Sequence, residues 1–121
     1  MTKIILIVES SASIRKFISL SLKIAGYNTL IATDGMDALE KISNIEVDMV
    51  ITDLNLPNID GLNLIKTLKK DKKYENLPII VLTSLSDEND IKEAMEAGAS
   101  SYLIKPFNDK KLLFEVSKYL N

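Results

Sequence analysis

The chain has 121 residues, with 15 lysines and arginines against 17 aspartates and glutamates and a formal net charge of -2. That length suits one domain with a core of its own, needing no disulfide or metal to hold it. With neither cysteine nor histidine, the chain has no disulfides, no thiolate metal site and no imidazole chemistry of its own, and its near-balanced charge suggests no nucleic-acid surface.

The elements alternate. Lys3 to Val8 reads as an apolar strand. The run in MTKIILIVES is too short for a signal peptide or a membrane span, so a cytoplasmic location is expected. The SSAS that follows supplies hydroxyls to cap a helix from about Ala12 to Ala25, and Gly26 ends it where a left-handed cap favours glycine. On that helix Ile14, Ile18, Leu22 and Ala25 form one stripe, which Phe17, Leu20 and Ile24 widen beyond what one sheet face covers. Such a width fits either a docking surface or a helix wedged between sheet and neighbour. Asn28 to Ala32 is a short second strand, and Thr33 or Asp34 caps a helix through about Ser43, with Ala38, Leu39 and Ile42 inward. Val47 to Asp53 is the third strand, apolar enough to be buried on both faces. A helix from about Leu62 to Lys70 turns Leu64, Ile65 and Leu68 inward, while Lys66, Lys69, Lys70, Lys72 and Lys73 read as a solvated face. Pro78 opens a fourth strand, PIIVLTS. Ser86, Asp87, Glu88 and Asp90 suit the start of a fourth helix, where negative charge is favoured, and Gly98 stops it. Ser101 to Ile104 is the fifth strand, Lys105-Pro106-Phe107 a turn, and Asn108 or Asp109 caps a last helix to about Tyr119.

Five strands alternating with five helices predict an α/β fold, a doubly wound five-stranded parallel sheet with helices on two faces. In such a sheet the ends of all the strands lie on one edge, so Glu9, Ser10, Asp53, Thr83, Ser84 and Lys105 converge there. Alone, Asp53 reads equally well as an aspartate that ends a strand or caps a helix. The convergence favours chemistry. Clustered carboxylates repel unless a cation lies between them, and an oxygen-lined site of this kind suits Mg²⁺, with Thr83 and Lys105 as donors to an anion beside it.

The segments IILIVES, TDGMDALEKI, MVITDLNLPNIDGLNLI, PIIVLTS and AGASSYLIKPF, end to end, resemble the receiver domain of bacterial response regulators, the CheY-like family. The resemblance implies strand order 2-1-3-4-5. It also implies phosphoryl transfer to Asp53 from a phosphohistidine on a sensor histidine kinase or a histidine phosphotransfer domain, and slow autodephosphorylation. In that scheme Glu9, Asp53 and the backbone carbonyl of Asn55 help hold Mg²⁺, for which Mn²⁺ can substitute. Thr83 hydrogen-bonds the phosphoryl group, Lys105 pairs with it, and Tyr102 changes rotamer on activation. The Lys105-Pro106 bond is expected to be cis. A downstream protein is expected at the face of helix four, strand five and helix five, and the kinase's helical domain at helix one. The expected state is a monomer or an activation-dependent dimer, and a chain closing at Asn121 reads as the single-domain form.

One departure bears on the metal. The family has two adjacent acids after strand one, and the register set by Ser11 and Arg15 puts Glu9 on the first and Ser10 on the second. A serine hydroxyl is a poorer Mg²⁺ ligand, so weaker metal binding is expected; Glu9, longer than aspartate by one methylene, could reach the ion directly. Leu85, two residues past Thr83, is expected to hinder the water that hydrolyses a phosphoaspartate. The alternative is a pseudo-receiver adaptor that binds its partner whether or not Asp53 is modified. A hydrolase of the haloacid-dehalogenase type would need an aspartate where the chain has Asn55, and a flavin role would need a phosphate loop richer than SSAS.

Overall fold

The computed structural model describes residues 2–84 and 88–120. In chain order the elements are β1 (Ile4–Val8), α1 (Ala12–Ile24), β2 (Asn28–Ala32), α2 (Gly35–Asn44), β3 (Met49–Asp53) and α3 (Gly61–Lys70). A 3-10 turn (Lys72–Tyr74) follows, then β4 (Ile79–Thr83), α4 (Glu88–Ala97), β5 (Ser101–Ile104) and α5 (Asp109–Ser117). Ser86 and Asp87, read as the start of the fourth helix, lie outside the described residues.

The five strands form one parallel sheet in the order β2-β1-β3-β4-β5. Right-handed crossovers then decide the layers. The step from β1 to β2 runs one way and puts α1 on one face, while the steps toward β3, β4 and β5 run the other way and put α2, α3 and α4 on the opposite face. The two cores follow this division. Ile5, Ile7, Met49, Ile51, Ile80 and Leu82 pack against Ile18 and Leu22 of α1 and Leu112 and Val116 of α5. Leu6, Val8, Val50 and Val81 pack against α2, α3 and α4 through residues such as Ile42, Leu64, Ile65, Leu68 and Ala94. Every residue of β3 and β4 is buried, which is why both segments read as continuous apolar runs rather than alternations.

The structure resolves both ambiguous caps. Asp34 caps α2 by accepting from the Asp37 N–H, and Asn108 caps α5 by accepting from the Lys111 N–H. The broad stripe on α1 divides: Ile18 and Leu22 are fully buried, whereas Phe17, Leu20 and Ile24 are exposed. Ala25, placed on the stripe from its spacing, is exposed because the helix has already reached its C-cap there. Ser19, between the two faces, is buried and shares a 2.9 Å hydrogen bond with Thr29 on β2.

Candidate functional site

The sheet order reverses between β1 and β3, and the crevice beyond the strand ends at such a reversal is where open α/β sheets bind ligands. Asp53 is the last residue of β3 and Glu9 follows β1 directly. Both are buried, Asp53 with 6% and Glu9 with 1% of its surface exposed. Two carboxylates taken so far out of water require a compensating cation.

Lys105, just past β5, supplies it. Its Nζ lies 2.8 Å from Asp53 Oδ2 and 2.9 Å from Glu9 Oε1. Burial by itself pushes the Lys105 pKa down, but the hydrogen bonds and negative charge of Asp53 and Glu9 outweigh it and hold the ammonium above its ordinary 10.5. The stem is fixed by the Lys105 N–H donating to the Thr83 carbonyl at 2.7 Å, and the Lys105-Pro106 peptide is cis. Thr83, at the end of β4, is buried beside this edge; Tyr102 lies two residues before Ile104, the partner of Thr83 on β5, and is exposed.

The remaining carboxylate oxygens are also engaged. Glu9 Oε2 accepts from the Ser11 N–H at 2.9 Å, and Asp53 Oδ1 accepts from the Asn55 N–H at 3.1 Å. Arg15 on α1 donates to the Glu9 carbonyl at 2.9 Å and to the Ser10 carbonyl at 3.4 Å, stiffening the turn that presents both residues. Ser10 itself is exposed. The structure thus brings Glu9, Asp53, Lys105 and the Asn55 amide into direct contact, with Thr83 tied to Lys105 through backbone. Leu85 lies outside the described residues.

The contributions of Arg15 and Gly61 were not legible beforehand. A Cβ on Gly61 would stand 2.3 Å from the Asp53 carbonyl oxygen, so a side chain there would displace the last peptide of β3. In sequence Gly61 is simply a glycine at the start of a helix, and Arg15 marks the register after strand one without showing where its guanidinium goes.

For a divalent ion the residues that would serve are the Glu9 and Asp53 carboxylates, which meet at Lys105, with the Asn55 carbonyl and the Ser10 hydroxyl implied by the resemblance. All are hard oxygens of the kind Mg²⁺ takes, so the set fits the ion. It is a lean set, because no group of three or more acidic, histidine or cysteine ligands occurs among the described residues.

The family model of the response regulator receiver domain matches residues 5–117. The chain is 38% identical over 108 residues to the probable transcriptional regulator ycf27 of Porphyridium aerugineum. That similarity covers 89% of this chain but 44% of the relative, so the chain spans less than half of that protein's length. Among solved structures, the chemotaxis response regulator CheY4 of Vibrio cholerae superimposes with a TM-score of 0.93 at 33% identity, covering 99% of this chain and 100% of that one. The receiver domain of a sensor histidine kinase from Pseudomonas aeruginosa PAO1, solved with a magnesium ion coordinated in its active-site cleft, gives a TM-score of 0.89 at 26% identity, with 98% of both chains covered. A match that runs from β1 to the end of α5, on a sheet wound in the same order, places this chain in the response regulator receiver domain family of two-component signalling.

Proposed function

We propose that Asp53 accepts a phosphoryl group from a phosphohistidine, carried by a sensor histidine kinase or a histidine phosphotransfer domain, and that the modified domain signals by protein contact. An Asp53 carboxylate oxygen attacks phosphorus, the phosphorus–nitrogen bond breaks, and the departing imidazole nitrogen keeps the electron pair. The product is an acyl phosphate. The observation that carries this reading is the Lys105 ammonium, held within 2.9 Å of both Glu9 and Asp53 at the ligand-binding edge of the sheet. A cation so placed is available to the phosphoryl oxygens as their charge develops, and phosphoryl transfer depends mostly on such neutralisation and on positioning.

Glu9, Asp53 and the Asn55 carbonyl would hold Mg²⁺, with Ser10 the weaker fourth donor and Mn²⁺ a substitute. When bound, the ion supplies further charge neutralisation at the phosphoryl oxygens. The protein's own residues orient the acceptor: the Asn55 N–H fixes one Asp53 oxygen and Lys105 the other. The phosphoryl group adds up to roughly two negative charges. Thr83 then turns toward it, and Tyr102 moves inward from its exposed position.

Two surfaces suit the protein contacts. Phe17 on α1 lines an apolar recess with Ile14, Lys105, Pro106 and Phe107, and Leu20 and Ile24 are exposed further along the same helix, which supports docking of the donor beside the acceptor. Met95, Tyr102, Phe114 and Tyr119 are exposed on α4, β5 and α5 or just past them, which supports a downstream protein or a second activated copy there. Among the described residues no helix is long and apolar enough to cross a membrane, and a cytoplasmic site of action is part of this proposal.

Incubating the chain with acetyl phosphate and Mg²⁺ and weighing it intact tests this reading. One added phosphoryl group, absent from Asp53→Asn, is the expected result. A specific observation keeps the pseudo-receiver adaptor alive: both Glu9 oxygens are already bonded, and a neutral serine stands where the second acid would be. No added mass at saturating Mg²⁺ would favour that reading.

A further inference from the structure

The loop 54–60, which carries Asn55 from β3 to α3, is gripped from two sides by glycines whose backbone angles do not require glycine. Gly26 and Gly98 have φ of 99° and 120°, which side-chain-bearing residues rarely adopt. Gly35 and Gly61 lack that reason, and each opens a helix, where glycine is a poor former. Their reason is space. A Cβ on Gly61 would meet the Asp53 carbonyl oxygen at 2.3 Å, and one on Gly35, the first residue of α2, would meet the Ile59 carbonyl oxygen at 2.1 Å. The loop therefore lies directly on the first turn of α2. A side-chain pair reinforces that seat: Asn58 Nδ2 donates to Asp34 Oδ2 at 2.9 Å, while Asp34 Oδ1 caps α2 through the Asp37 N–H at 2.8 Å. Asn58 has φ of 68°, the one positive value at a non-glycine among the described residues, and asparagine is the side chain that tolerates it best.

We infer that the first turn of α2 is the mould of the acceptor loop, and that Asp34, Gly35 and Asn58 are positioning residues that set where the Asn55 amide meets Asp53. The consequence for phosphorylation rests on the function proposed above, but the geometry is testable without it. Asn58→Asp sets two carboxylates against each other. Asp34→Asn keeps the cap of α2 through its oxygen and, once the Asn58 amide flips, donates to Asn58 Oδ1, so it serves as the conservative control. The swap Asp34→Asn with Asn58→Asp again faces a donor with an acceptor and keeps the wild-type net charge.

The test uses the full metal-free chain, reading the hydrogen exchange of the Asn55 amide by NMR, followed by calorimetric Mn²⁺ titration and phosphorylation by acetyl phosphate. Asn58→Asp is expected to exchange the Asn55 amide about tenfold faster or more, with strand amides and thermal midpoint near wild type, while Asp34→Asn stays near wild type throughout and Gly35→Ala, whose methyl group meets backbone, also lowers the midpoint. Mn²⁺ affinity and phosphorylation rate are expected to fall together in Asn58→Asp, more steeply in Gly35→Ala, and the swap to return both to within about twofold of wild type. In Asn58→Asp, a shift of the midpoint and of all protected amides together would mark a contact with only a structural role and overturns the inference. Wild-type exchange at Asn55 in Asn58→Asp, or no recovery in the swap, also overturns it. If the variants loosen Asn55 as expected but the wild-type chain gains no phosphoryl group, the positioning stands and the phosphoacceptor reading falls.

Discussion

Lys105 faces two carboxylates that would otherwise repel each other in a nearly dry crevice. Its pKa is held above 10.5, so it stays charged through neutral pH, and the stability it contributes is lost only as pH rises through that elevated value. Lys105→Met leaves Glu9 and Asp53 unpaired and should cost about 1–3 kcal/mol. Adding Asp53→Asn removes the repulsion and should recover part of that loss in urea unfolding; a further loss would mean that the bridge is not what holds the two acids. Ser10→Asp adds a charged ligand at the same edge and should tighten Mg²⁺ binding about tenfold or more by calorimetry, because affinity follows ligand charge. Unchanged affinity would remove Ser10 from the site. The candidate residues were legible as residue types at strand ends, but their bonds were not. Nothing in the sequence shows that one Glu9 oxygen would go to the Ser11 amide and the other to a lysine 96 positions away, since that pairing exists only once β1 and β5 share a sheet.

At the level of elements, close approach and tethers govern the behaviour around the crevice. Gly61→Ala should destabilise by about 1–3 kcal/mol, because the new methyl group meets backbone rather than a side chain that could turn aside. On the other side of β5, Glu115 of α5 is hydrogen-bonded to Ser101 and lies 2.8 Å from Lys118. Burial raises the Glu115 pKa, but bonding to Lys118 and Ser101 more than reverses this and sets it below the ordinary 4.5. The group therefore contributes stability above pH 4.5 and loses it as pH falls through the lowered folded value. Wild type and Glu115→Gln should accordingly differ in urea midpoint at neutral pH and converge in acid; a constant difference would contradict the tether. Strands were easily read, since IILIV and IIVLT are buried on both faces and leave no ambiguity of pattern. Caps were read only to within one residue, because Thr33 and Asp34, or Asn108 and Asp109, are chemically equivalent until the backbone places one side chain over the free amides. The width of α1 was legible but its cause was not. Ile18→Ala should cost about 2–5 kcal/mol as a core truncation. Leu20→Ser should stay within about 0.5 kcal/mol, since that side chain packs against no core.

For the molecule as a whole, the winding rule turns the order of the strands into a division of labour. Helices α2, α3 and α4 share one face and α1 and α5 the other, and the reversal between β1 and β3 sets Glu9 beside Asp53. Alternation of strands and helices announced this layering, while strand order came from the resemblance, because apolar runs of equal length do not say which neighbours they choose. The whole fold thus works as a frame holding two carboxylates, one ammonium and one amide at a common edge, with apolar surfaces at α1 and at α4, β5 and α5 as the proposed contacts for donor and target. The claim at its centre is that Asp53 is the phosphoacceptor. Treatment with acetyl phosphate and Mg²⁺, reduction of the product with borohydride, and peptide mass mapping test it most directly, since an acyl phosphate is reduced to the alcohol where it stood. The account predicts homoserine at position 53 and no reduced side chain at any other acidic residue; an intact aspartate there, or a carboxyl reduced to the alcohol at another aspartate or at a glutamate, would contradict it.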